Sequence, residues 1–242
     1  MWPFTGKSTL ESVGVLKGFT DWHSHILPGM DDGIPDMESA LQVLDRYEQL
    51  GIREVWLTPH VMEDIPNSTA LLQRRFGELQ SAYDGTVGLN LAAEYMLDNG
   101  FEQRLQTDDL LGIGSADSKT LLVETSYFCP PMDLYGTLER IREKGYRPLL
   151  AHPERYLYMD DADYERLQDI GVQFQCNICS LTGVYGKDAC RKFSNFLDKG
   201  WIRVLGTDIH RLSSFNYAVS RKCLSDKQRL LLVMQAGDSN PN

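Results

Sequence analysis

The five histidines of this chain, His23, His25, His60, His152 and His210, each close a short apolar run with strand character. No other feature of the 242 residues restricts the fold as much. Phe19 to Ile26 reads as a strand that emerges into a Pro28-Gly29 loop, and Arg53 to Thr58 as the next. Val87 to Leu97, Leu121 to Ser126, Pro148 to Ala151, Val172 to Cys176 and Ile202 to Gly206 follow, making seven. Between them apolar residues recur at helical spacing. Met37, Leu41, Leu44 and Tyr47 run up to Gly51, and Leu71, Leu72, Phe76, Leu79 and Tyr83 follow the capping residue Ser68. Phe101 to Leu111 reads as a short helix with loop. Further helices end at Gly145, Gly171 and Gly200, and Ser225-x-x-Gln228 opens a last one through Met234 with capping-box spacing.

Strands that alternate with helices, with no polar linker to divide them, give a single α/β domain over 1–242. A short N-terminal extension to about residue 18 and a loose tail from about residue 237 flank it. No internal repeat is present, and no GxGxxG or GxxxxGK[ST] loop signals a nucleotide fold. A barrel is expected instead, because the polar singularities all fall at strand C-termini, where a barrel gathers its functional residues.

His23-Ser24-His25 sits at the end of the first strand. Residues i and i+2 of a strand face the same way, so both imidazoles can approach one ion. Asp208-Ile209-His210 repeats this spacing after the last strand. Glu94 and Glu124 stand near the ends of apolar runs, where a structural residue is usually aliphatic. Any one of these groups alone reads equally well as a satisfied core histidine or a strand-end ion pair. Together they point to a metal site, since divalent ions remove the repulsion between clustered buried carboxylates.

The formal charge of −10, without a basic block, argues against binding nucleic acid or anionic membranes. An anionic substrate stays admissible, because metal ions reverse the local potential. No run is long enough to span a membrane, and the first 19 residues lack the apolar region of a secretory signal. Cys129, Cys176, Cys179, Cys190 and Cys223 are an odd, scattered set, as in a reducing compartment, so a cytoplasmic location is expected. Cys176-Asn-Ile-Cys179 has no second pair and reads as ordinary thiols at a strand end. Of the five, only Cys223 has arginine at the Cys-x5-Arg spacing of thiol-based phosphatases, with Arg229 six positions on; Cys129, Cys176, Cys179 and Cys190 have none there.

Asp21-Trp22-His23-Ser24-His25-Ile26-Leu27-Pro28-Gly29 with Asp31-Asp32-Gly33, then Thr58-Pro59-His60, Ala151-His152-Pro153-Glu154-Arg155-Tyr156 and Gly206-Thr207-Asp208-Ile209-His210, carry a resemblance. The chain resembles the polymerase and histidinol phosphatase (PHP) superfamily. Within it, the chain is most similar to the manganese-dependent tyrosine-protein phosphatases of bacterial capsule and exopolysaccharide operons. The resemblance runs from about Asp21 to the final helix. It implies a distorted (β/α)7, TIM-like barrel of the PHP type that holds three divalent ions. Manganese comes first among them, with iron, zinc, magnesium and cobalt as alternatives. By motif position it assigns His23, His25, Glu94 and Asp208 to one ion. Glu94, shared, goes with Glu124 and His152 to a second, and Asp32, His60 and His210 to a third. Asp32 agrees with the tyrosine phosphatase branch; many superfamily members have histidine there.

The implied activity is hydrolysis of phosphotyrosine on a protein, in particular a bacterial tyrosine kinase that controls capsule or exopolysaccharide synthesis. Arg155 matches an arginine of the family directly. An Arg-Pro element that usually follows the final histidine is missing from Arg211-Leu212-Ser213-Ser214-Phe215-Asn216-Tyr217, and Arg211 is its nearest, weaker substitute. Leu27 to Pro35 and Met62 to Thr69 are expected to border the barrel mouth. Phe128, Pro130, Pro131 and Met132 form an apolar wall for an aromatic ring or simply cover the rim. Histidinol phosphate or another small phosphomonoester is the alternative substrate, and a non-catalytic metal-binding regulator of a kinase the alternative class. A homo-oligomer stays open.

Overall fold

A computed structural model describes residues 7–114 and 119–238. Its strands are β1 (Thr20–Ser24), β2 (Glu54–Leu57), β3 (His60–Val61), β4 (Gly88–Leu91), β5 (Glu94–Met96), β6 (Thr120–Glu124), β7 (Arg147–Ala151), β8 (Gln173–Asn177) and β9 (Ile202–Gly206). The helices are α1 (Met37–Leu50), α2 (Thr69–Ala82), α3 (Phe101–Thr107), α4 (Leu134–Glu143), α5 (Asp161–Asp169), α6 (Lys187–Lys199), α7 (Leu212–Ser220) and α8 (Asp226–Asp238).

Every strand pair is parallel, in the orders β1-β2-β4 and β3-β5-β6-β7-β8-β9. The two sheets are one distorted barrel. Pro59, which has no N–H, interrupts the second strand between β2 and β3, and Ala92-Ala93 interrupts the third between β4 and β5. Across the breaks Ala92 N donates to Leu57 O (2.9 Å) and Glu94 N to Pro59 O (3.1 Å). The barrel closes where Asp208 N donates to His23 O (2.8 Å) and His25 N to Ile209 O (3.1 Å). Seven strand positions result, as expected, with the run Val87 to Leu97 split in two.

Strand alternation divides the core. Val55, Leu57, Tyr95, Leu121, Val123, Leu150, Phe174 and Leu205 pack outward against the helices. Trp22, Ala92, Leu122, Leu149, Ala151 and Val204 make a separate inner cluster, with Trp56 stacked 5.9 Å from Trp22. Ala92 and Leu122 lie two residues before Glu94 and Glu124, on the same strand faces. The barrel interior is thus apolar below and polar above.

The caps act as the sequence implies. Ser68 Oγ accepts from Leu71 N, Gly51 and Gly200 are left-handed at φ 75° and 69°, and Ser225 and Gln228 bond reciprocally. Two expectations change. Leu10, Val15 and Leu16 are buried, so the chain from Ser8 onward belongs to the core rather than to an extension. Gly237 and Asp238 lie in α8, and residues 239–242 of the expected tail fall outside the described residues. No helix among the described residues is long and apolar enough to cross a membrane.

Gly206, at the end of β9, lets the barrel wall close on the site. A Cβ there would lie 2.6 Å from His23 Cβ and 2.8 Å from Gln175 Nε2. Gly206→Ala is therefore expected to cost about 1–3 kcal/mol by overpacking. Urea unfolding measures it, and an unchanged midpoint would contradict this closure.

Candidate metal centre

All nine residues singled out by sequence meet at the C-terminal mouth of the barrel. His23, His25, Glu94, Glu124, His152 and Asp208 are buried, His60 and His210 are partly so, and Asp32 is exposed at the rim. Two of them sit on strained backbone: His152 has φ 34° and Asp208 φ 53°. Left-handed non-glycine residues cost energy and persist where the surroundings hold them, which is common at functional sites.

The polar network fixes which histidine atoms carry hydrogen. Gln175 Oε1 accepts from His152 N (3.2 Å), while its Nε2 donates to Asn177 Oδ1 (3.0 Å). Asn177 Nδ2 donates in turn to Asp208 Oδ2 (2.7 Å). The amides have one consistent orientation, so His23 Nδ1 must donate to Gln175 Oε1 (2.8 Å). His25 Nδ1 donates likewise to Asp31 Oδ2 (2.7 Å). In neutral imidazoles both Nε2 atoms then bear lone pairs, yet they face each other at 3.0 Å. Glu94 Oε2 lies 3.1 Å from His23 Nε2, and Asp208 Oδ1 3.3 Å from His25 Nε2. Two ring nitrogens and two carboxylate oxygens thus converge; burial opposes a proton on either imidazole, but Glu94 and Asp208 beside His23 and Asp31 beside His25 outweigh it and raise both pKa values.

The same holds next door. His60 Nδ1 is 2.9 Å from Glu124 Oε1 and 3.1 Å from Glu94 Oε2, but none of these atoms has an aligned hydrogen bond. One ligand atom from each of these three residues lies within 4.8 Å of the other two. Three triads within the cluster have the spacing of ion ligands: His23-His25-Glu94, His60-Glu94-Glu124 and His25-His60-His210. A divalent cation fits this donor set of imidazole and carboxylate. His60 stands between two of the expected groups, with Nδ1 toward Glu94 and Glu124 and Nε2 toward Asp32. His152 Nε2 is also near both, at 3.0 Å from Glu94 Oε1 and 3.7 Å from Glu124 Oε2. Asp32 Oδ1 lies 3.6 Å from His60 Nε2 and 3.4 Å from His210 Nε2.

The field follows from this crowding. Burial and His25 oppose a proton on His60, but Glu94 and Glu124 outweigh them and push its pKa up to about 10. Burial likewise opposes ionisation of Asp31, yet His25 and the N–H groups of His60 and Gly33 bring its pKa down to about 2. The carboxylates draw positive charge into the mouth. Below them Asp21, whose burial raises its pKa to about 6, accepts from Tyr47 Oη (2.6 Å), Thr207 N (2.7 Å) and Thr207 Oγ1 (2.7 Å). This ties β1 to the segment that carries Asp208.

A cavity of about 720 Å³ opens above the cluster and includes Asp32, His60, His152, Asp208 and His210 in its lining. Arg155 enters it with Nη1 donating to Asp208 Oδ2 (2.8 Å), its guanidinium between Tyr127 (4.3 Å) and Tyr185 (4.5 Å). Arg211 is exposed at the start of α7, a helix that is not among those expected from the sequence. Phe128 and Met132 are 76% and 105% exposed and line no part of this cavity; Tyr127, Tyr185 and Phe215 supply its aromatic walls. Sequence reasoning also misses Asp31, Gln175 and Asn177, which act through other residues. For Asp31 the signal was its place in the Asp31-Asp32-Gly33 motif; the two amides carry none.

Comparison with known proteins gives one result. The family described as "Capsular polysaccharide synthesis, CpsB/CapC" matches residues 19–226. Tyrosine-protein phosphatase YwqE of Bacillus subtilis is 26% identical over 203 residues, 81% of this chain and 79% of that protein. Tyrosine-protein phosphatase CpsB of Streptococcus pneumoniae is 26% identical over 207 residues, 80% of this chain and 84% of its own length. A crystal structure from the study of these two proteins superposes with a TM-score of 0.74 at 24% identity, covering 89% of this chain and 94% of that one.

Gln175 sets the orientation of His23 without reaching the cluster itself. Gln175→Ala is expected to weaken manganese binding about 10- to 100-fold. The manganese dependence of the melting temperature measures this, and an unchanged apparent affinity would contradict the relay.

Proposed function

The chain belongs to the CpsB/CapC family of capsular polysaccharide synthesis, and from that premise we propose that it is a metal-dependent phosphatase of phosphotyrosine in proteins. The observation that carries the reading is the convergence of imidazole and carboxylate groups, at the spacing of ion ligands, on the floor of an open cavity that also holds an arginine. The names of the relatives, both tyrosine-protein phosphatases, support the same substrate. The protein substrate we propose is a bacterial tyrosine kinase of capsule or exopolysaccharide synthesis.

Three divalent ions, manganese first, are proposed to bind: one at His23, His25, Glu94 and Asp208, one at Glu94, Glu124 and His152, and one at Asp32, His60 and His210. Such ions, when bound, neutralise phosphate charge and make water a competent nucleophile near neutral pH. The rest is done by the chain. Arg155, held by Asp208 and two tyrosine faces, is pre-oriented and offers its remaining N–H groups to phosphate oxygens. Tyr127, Tyr185 and Phe215 give a phenol ring an aromatic surround. Arg211, exposed at the cavity edge and in no side-chain hydrogen bond or ion pair among the described residues, adds a weaker second contact.

No thiol competes for the role of nucleophile. Cys179, the cysteine that lines the cavity, is buried, and burial together with nearby Asp21 and Asp208 pushes its thiol well up. Burial raises Cys176 and Cys223 too, and Cys223, although Arg229 follows it at Cys-x5-Arg spacing, does not line the cavity, since the residues between them lead into α8.

Manganese-loaded protein assayed side by side on phosphotyrosyl peptide, phosphoseryl peptide and histidinol phosphate tests the reading. The phosphotyrosyl peptide is expected to give the highest kcat/KM; preference for histidinol phosphate would move the protein to small phosphomonoesters. Turnover of none of the three would leave the non-catalytic regulator. Glu94→Ala is expected to remove turnover and Cys223→Ser to leave it nearly intact. Loss of activity in Cys223→Ser, with fold and metal content kept, would overturn the mechanism. Arg155→Ala should lower kcat/KM about 30- to 150-fold, as one charge-assisted contact is worth about 2–3 kcal/mol. Arg211→Ala should cost less than about 10-fold; the reverse ranking would make Arg211 the main phosphate contact.

A further inference from the structure

The cavity has two ends of opposite sign. Its carboxylates, Asp32 and Asp208, belong to the ligand cluster, whereas the wall formed by α7 presents Ser214, Phe215, Tyr217, Ala218 and Arg221 and no acid. Arginine stands at both ends of this helix: Arg211 caps its N-terminus and Arg221 its C-terminus. Ten positions at about 1.5 Å per residue separate them by about 15 Å along the axis. Arg211 follows His210 and is beside the cluster, so Arg221 marks the far lip.

Arg221 is poised for an external partner. It is exposed and makes no ion pair among the described residues, whereas Arg155 is tied to Asp208. Its guanidinium lies 5.5 Å over the ring of Tyr217, one turn before it and 61% exposed. The helix itself is fixed: Asn216 Oδ1 accepts from Arg46 Nε (2.9 Å), Val219 is buried, and Phe215, at the cavity wall, also packs on Tyr47. The wall is thus rigid and its outer pair displayed. A chain of net charge −10 repels acidic peptides as a whole, so a local arginine at the entrance decides whether one can lie there.

Resting on the phosphotyrosine reading above, we propose that Tyr217 and Arg221 form a second subsite that selects peptides with an acidic residue flanking the phosphotyrosine. The flanking contact is the same in ground and transition states, so its effect falls on KM rather than kcat.

Three phosphotyrosyl peptides that differ only in flanking Glu, Ala or Lys test this on the manganese-loaded protein. The Glu peptide is expected to exceed the Ala peptide about 3- to 5-fold in kcat/KM, through KM, as an exposed ion pair allows. The advantage should shrink as salt rises. Arg221→Ala should level the three peptides, Arg221→Lys should keep part of the preference, and Arg221→Glu should favour the Lys peptide. Equal kcat/KM for the three peptides with the unaltered chain, or a preference for Glu that survives in Arg221→Glu, would overturn the subsite while leaving the phosphatase reading intact. Failure to hydrolyse any of them overturns both.

Discussion

Two ring nitrogens that face each other 3.0 Å apart, His23 Nε2 and His25 Nε2, set the terms for the rest of this structure. Each is fixed by what its ring does on the other side, His23 through Gln175 and His25 through Asp31. Carboxylates that approach the same point add charge of one sign. An apolar interior cannot hold such a group of acceptors without a cation or extra protons. The raised pKa of His60 and the unpaired atoms of Glu94 and Glu124 express the same demand.

The fold meets this demand by geometry. Parallel strands of a barrel bring side chains distant in sequence to one mouth, with the apolar cluster around Trp22 as a floor. The connections across breaks in the second and third strands keep Glu94 in register beside His60. Left-handed backbone at His152 and Asp208 turns those side chains inward, and Gly206 removes the Cβ that would hold the strands apart. Arg155 shares this economy of position: its partner Asp208 is also a candidate ligand, so the phosphate contact and the ion site are braced against each other.

Much of this was legible in the sequence because its signals are local. Strand runs, glycine stops and the i, i+2 pairs His23/His25 and Asp208/His210 need only neighbours along the chain. Val87 to Leu97 shows where that logic stops: its apolar pattern runs on through Ala92-Ala93, while the ladder breaks there to follow the barrel's curvature. Leu212 to Ser220 carries no strong helical stripe, and its burial depends on Tyr47 and the segment near Glu11, which are remote in sequence. Gln175 and Asn177 are ordinary strand residues until β8 is set beside β7 and β9. Phe128 and Met132 mislead in the opposite sense, since an apolar run beside a mouth need not turn into it.

The nine side chains form one continuous set with the donors and spacing of a centre for divalent ions. Anomalous diffraction from crystals of manganese-saturated protein tests it most directly. Three peaks are expected within the cluster of His23, His25, Asp32, His60, Glu94, Glu124, His152, Asp208 and His210. A single ordered ion at saturating manganese would contradict the three-ion arrangement, and no peak at all would contradict the metal centre itself.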